Sequence, residues 1–144
     1  MTLTEALQDP ARRESVVADG VRVIDEEVAA RRGLSGAALR AGYGAFKKLR
    51  PGITRSAVER LLPLMTPPLD RHWALAQATT DPHRYFRDHS GAVADDLLAV
   101  TDGLADRAKN RMLVRLYKSL RGQARDHVIL SVPRIPELIA RHST

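Results

Sequence analysis

Helix punctuation constrains this chain more than any other feature. Prolines and glycines fall where helices begin and end, and no stretch alternates apolar and polar residues as a half-buried strand must. Thr2-Leu3-Thr4-Glu5 has the spacing of a capping box and opens a short helix ending near Gln8. Asp9-Pro10 reads as an N-cap and first helical residue, and the helix that follows carries Val17, Val21, Ile24 and Val28 on one face before stopping at Gly33. Two junctions then repeat one phrase, Gly33-Leu34-Ser35 and Gly52-Ile53-Thr54. In each, a glycine closes a helix, a hydroxyl side chain is placed as the next N-cap, and an apolar pair (Leu34 with Leu39, Ile53 with Val58) is spaced for a hydrophobic staple. The expected helices run over 36–49 and 55–65, the second closed by Pro67-Pro68, and over 68–79. Another starts at Asp81-Pro82 and breaks at Gly91 or Gly103, one starts near Asn110, and a last one ends near His142 with a bend at Pro133 and Pro136.

The chain is therefore expected to be all-α, a compact bundle of six to eight helices forming one domain over 1–144. With 144 residues there is room for one ordinary domain, and 44% apolar with 28% charged residues suits a globular chain rather than a disordered one. Tyr43, Phe46, Trp73, Tyr85, Phe86 and Tyr117 are the expected large core residues. An internal repeat is also suggested. Asp9-Pro10 recurs at Asp81-Pro82, Asp25-Glu26 at Asp95-Asp96, Gly33-Leu34 at Gly103-Leu104, and Phe46 at Tyr117, with offsets of 70 to 72. Those matches define units 9–66 and 81–138, which a pseudo-two-fold axis would relate. A competing offset of 74 pairs Leu39 with Leu113 and Tyr43 with Tyr117.

Charge is distributed unevenly. The formal net charge is +6, yet nine basic and two acidic residues from Arg107 onward give that segment +7 and leave −1 for the rest. If 107–125 were one helix, Arg107, Arg111, Arg115, Lys118 and Arg125 would share a face, with Leu113, Leu116, Tyr117, Leu120 and Ala124 on another. Such a basic stripe suits a phosphate backbone. Residues 49–62 have the turn glycine, apolar residue and hydroxyl of a helix-turn-helix, with Arg55 and Arg60 pointing outward. Lys48 stands where that motif needs a small residue, so a plain helical hairpin is the expectation.

Chemistry-bearing patterns are sparse. Cysteine is absent, which excludes disulfides and thiolate chemistry, and the five histidines show no i, i+4 pair. Asp88-His89-Ser90 reads as a polar turn. The only carboxylate route to a metal would bring Asp25-Glu26 and Asp95-Asp96 together across the repeat axis. Gly36, Gly42 and Gly44 have no preceding strand and so make no phosphate loop; close helix–helix approach is their expected use. No catalytic residue, metal or cofactor is expected. No uncharged apolar run approaches the length of a membrane span, and the opening residues lack a basic segment followed by an apolar one, so the expected location is the cytoplasm.

Several phrases carry a resemblance: Thr2-Leu3-Thr4-Glu5-Ala6-Leu7 with Asp9-Pro10-Ala11-Arg12-Arg13, Gly33-Leu34-Ser35-Gly36-Ala37-Ala38, Arg50-Pro51-Gly52-Ile53, and Ala57-Val58-Glu59-Arg60-Leu61-Leu62-Pro63. Over most of its length the chain resembles a family of small all-helical bacterial proteins with no assigned function. That resemblance implies the fold and no site residue. The expected function is a non-enzymatic protein-interaction or self-associating module. The alternative is a nucleic-acid binder using Arg107, Arg111, Arg115, Lys118 and Arg125, or Arg55 and Arg60.

Overall fold

The computed structural model describes residues 1–143. Its elements are α1 (Leu3–Ala6), α2 (Pro10–Ala30), α3 (Gly33–Leu49), α4 (Ile53–Gln77), α5 (Pro82–Asp88), α6 (Ser90–Arg107), α7 (Arg111–Ser131), a 3-10 turn (Val132–Arg134) and α8 (Ile135–His142). The fold is all-α, with no strand among the described residues. The chain divides into two compact units, one of Met1–Pro67 with Glu137–Thr144 and one of Pro68–Pro136.

Local chemistry sets four of the helix starts. Thr2 Oγ1 accepts from the Glu5 N–H and the Glu5 carboxylate accepts from the Thr2 N–H, both at 3.0 Å, which completes the capping box of α1. Asp9 and Asp81 cap α2 and α5 ahead of prolines whose missing N–H has no role at that position. Asn110 accepts from the N–H groups of Met112 and Leu113 at 3.0 and 3.2 Å and starts α7. α7 then continues through Gly122 without a break.

Five expectations fail. Ser35 and Thr54 cap nothing: α3 begins at Gly33 and α4 at Ile53, so both hydroxyls lie inside helices. Thr54 is hydrogen-bonded instead to the Tyr43 hydroxyl at 2.5 Å. Leu34 is 92% exposed and staples nothing, whereas Gly33 and Gly52 do take the positive φ that the turns require. Pro67-Pro68 does not end a helix, because α4 runs through it, and burial of Thr66, Pro68 and Leu69 there outweighs the missing backbone hydrogen bonds. The break after α5 falls at His89, before Gly91, and Gly103 lies inside α6. Finally, 107–125 is not one helix: Arg107 ends α6 and Arg111 begins α7.

In the first unit, Leu3, Ala6, Leu7, Val16, Val17, Val58 and Ile139 are buried. α2 and α4 approach closely where a Cβ at Gly20 would meet Val58 Cγ1 at 3.4 Å. Asp19, on the buried side of α2, ties α8 down. Its carboxylate accepts from Arg22 and Arg141 at 2.5 Å and from His142 Nε2 at 2.9 Å. In the second unit, Leu69, Ala76, Phe86, Val93, Ala94, Leu98 and Val132 are buried, and α6 packs along α7. Of the expected aromatic core, Phe86 is fully buried, while Tyr43, Trp73, Tyr85 and Tyr117 are half-buried. Phe46 is 57% exposed and is no core residue: it precedes the turn on the outer side of α3.

Two predictions follow from this packing. A Cβ at Gly36 would lie 2.8 Å from the Arg31 carbonyl carbon, so Gly36→Ala should destabilise by about 1–3 kcal/mol through overpacking. Gly42 and Gly44 face open space, contrary to a close-approach role, so Gly42→Ala should stabilise by about 1 kcal/mol of helix propensity; urea unfolding of the pair reads both signs. Asp19 supplies the second. Burial alone would raise its pKa, but the hydrogen bonds from His142, Arg22 and Arg141 together hold it below the ordinary 3.8. Its contribution is therefore complete above pH 3.8 and is lost as pH falls below that through the lower folded value. Asp19→Asn should lower the melting temperature at pH 7 and flatten the acid limb of the stability curve.

Candidate functional site

The turn between α6 and α7 carries a local cluster of positive charge. Lys109, Arg111, Arg115 and Lys118 line an open groove of about 560 Å3, which Asp106 also lines. Arg107, Arg111, Arg115 and Lys118 are all exposed, and among the described residues none of them makes an ion pair. Arg125 is different. Its guanidinium holds Asp95 at 2.7 and 3.3 Å and lies 3.3 Å from the space beside Gly91, so the far end of the expected stripe is neutralised on α6. Arg121 likewise holds Asp102 through contacts of 2.9 to 3.2 Å. These partners keep the Asp95 and Asp102 carboxyls below their ordinary values, chiefly through the hydrogen bonds from Arg125 and Arg121.

The helix-turn-helix candidate has less to offer a phosphate. Arg55 is bound to Glu14 and, at 2.8 Å, to Glu59. Arg60 is exposed, and Lys48 occupies the position that the motif reserves for a small residue. Arg55 and Arg60 belong to the first unit and the α6–α7 cations to the second.

Three polar clusters were not legible from motif spacing. Tyr43 donates to Asp25 at 2.5 Å, touches Thr54, and sits beside Lys47, which holds Asp25 at 3.2 Å. Tyr117 donates to Asp102 at 2.6 Å, touches Thr101 at 2.6 Å, and sits beside Arg121. Both clusters join consecutive antiparallel helices, and the tyrosine–cation pair recurs at the offset of 74, not 70. That i, i+4 pairing, with an aspartate on the preceding helix, was the available signal. In the third cluster the nearly buried His72 ring donates from Nε2 to Asp96 at 2.6 Å, which leaves Nδ1 to accept from the Tyr85 hydroxyl at 3.1 Å. A tyrosine–histidine–aspartate line has the residue types of a proton relay. Neither groove at the α6–α7 turn reaches it, and what it does is clamp α4, α5 and α6 together.

The acidic pairs are likewise committed within their own units: Asp25 to Tyr43 and Lys47, Asp95 to Arg125, Asp96 to His72. Among the described residues no three histidine or carboxylate side chains converge as metal ligands, and no helix is long and apolar enough to cross a membrane.

Fold and charge together define a small all-helical protein with a local cationic groove. The chain belongs to the family of unknown function DUF6918, whose model matches residues 3–143. No curated protein and no solved structure is similar enough to match it.

Burial, reinforced by the hydrogen bond to Asp102, raises the Tyr117 phenol above its ordinary 10.0. Asp102→Asn should bring that ionisation down toward pH 10, followed by the ring-carbon NMR shift of Tyr117. Tyr117→Phe should cost about 1 kcal/mol of stability in urea unfolding.

Proposed function

We propose that this protein is a non-enzymatic helical interaction module that associates through an exposed apolar helix face, with a second copy of itself as the first partner to test. One observation carries the reading: α7 has 21 residues and buries none of them. On its outer flank Met112, Leu113, Leu116 and Leu120 are 80, 60, 51 and 48% exposed. Single exposed leucines need no explanation, but four within nine residues on one face of an amphipathic helix form a contiguous apolar patch. Each of these side chains is already partly covered, so burial against a partner would recover on the order of 1 kcal/mol apiece. α3 adds a similar feature in the first unit, where Leu34 and Leu49 are 92 and 80% exposed.

The absence of cysteine and of an apolar span supports a cytoplasmic location. Nucleic-acid binding takes second place, since Arg125 of the stripe and Arg55 of the helix-turn-helix candidate already hold carboxylates.

Light scattering behind a sizing column tests the proposal. A concentration-dependent mass above 15.9 kDa is expected for the intact chain. Leu116→Glu with Leu120→Glu, at positions where folding demands no burial, should return it to the monomer mass while leaving the helical circular dichroism unchanged. An intact chain that stays monomeric up to millimolar concentration overturns self-association.

A further inference from the structure

The α6–α7 corner carries a second inference, which shares only Leu113 with the apolar face. Four cations converge on one groove with no carboxylate paired to any of them, although the neighbouring Arg121 and Arg125 have each secured one. Their position is also unfavourable for the helix. Arg111 and Arg115 stand in the first turns of α7, where the helix dipole is positive, and no acidic residue occupies that first turn. Like charges gathered at the wrong end of a helix destabilise it, and a multiply charged anion reverses both terms at once.

The extent of the free charge limits the size of that anion. From Arg111 to Lys118 the helix rises only about 10 Å. Beyond Lys118 the basic residues of α7 facing α6 are neutralised. Such a patch meets two or three phosphates, too few to track a duplex backbone. The groove also has an apolar extension. A recess of about 280 Å3 lined by Leu104, Leu113 and Tyr117, among others, shares Ala105, Ala108 and Val114 with it. Asp106 also lines the groove and lowers its net positive charge.

We propose that this corner binds a compact organic di- or triphosphate, its phosphates held by Lys109, Arg111, Arg115 and Lys118 and its apolar portion seated in the adjoining recess.

Calorimetric titration of the full chain at low salt, with inorganic tripolyphosphate and with geranyl diphosphate, tests the assignment. Both should bind, more weakly as salt rises, and the organic ligand several-fold tighter per phosphate. Arg111→Glu with Arg115→Glu should weaken both at least tenfold, whereas Arg125→Glu should change neither by more than about twofold. Leu104→Trp, which fills only the recess, should remove the advantage of geranyl diphosphate and leave tripolyphosphate binding intact. Three outcomes overturn the proposal: no heat from either probe at millimolar concentration, binding confined to phosphatidylglycerol vesicles, or binding to duplex DNA that tripolyphosphate does not displace. None of these readouts depends on Leu116 or Leu120, so failure here leaves the association proposal standing.

Discussion

A carboxylate on one helix, held by a phenol and a cation on the next, is the contact on which each helical hairpin of this protein depends. Asp25 with Tyr43 and Lys47 fixes α3 against α2; Asp102 with Tyr117 and Arg121 fixes α7 against α6. The contact matters because α3 buries only Gly36 and α7 buries nothing. Apolar burial cannot set their register, and a directional hydrogen bond with one acceptor position can. Exposure keeps the ionic part of each contact small, so specificity rather than bulk stability is what these clusters add.

The same economy explains the distribution of surface charge. Cations that face the preceding helix are drawn into carboxylate contacts, as Arg121 and Arg125 are, and lose their availability to a ligand. Cations nearer the α6–α7 turn make no carboxylate pair, although Asp106 lines the same groove, and stay free. A basic stripe that looks uniform in sequence is therefore two regions, one structural and one open, divided by which residues oppose it on α6.

Much of the architecture was written locally. Thr2 with Glu5, Asp9 with Pro10, Asp81 with Pro82, and Asn110 each set a helix start through atoms within three residues, so caps could be read directly. Where such reading failed, a distant partner had intervened. Thr54 has the spacing of an N-cap, yet the Tyr43 hydroxyl 11 residues earlier claims its side chain. Pro67-Pro68 looks like a terminator, yet neighbouring burial carries α4 through it. His72 belongs to no motif, because its partners Tyr85 and Asp96 lie one and two helices further on.

By itself the sequence determined the helical class, four of the helix starts and the sign and location of the excess charge, all of which follow from backbone capping, periodicity and composition within a few residues. Only the tertiary structure decided which charges are free, which leucines face water and which aspartate each tyrosine meets. Those outcomes turn on how far each helix is rotated about its axis when it packs, and a rotation of one residue step, about 100°, exchanges a buried side chain for an exposed one.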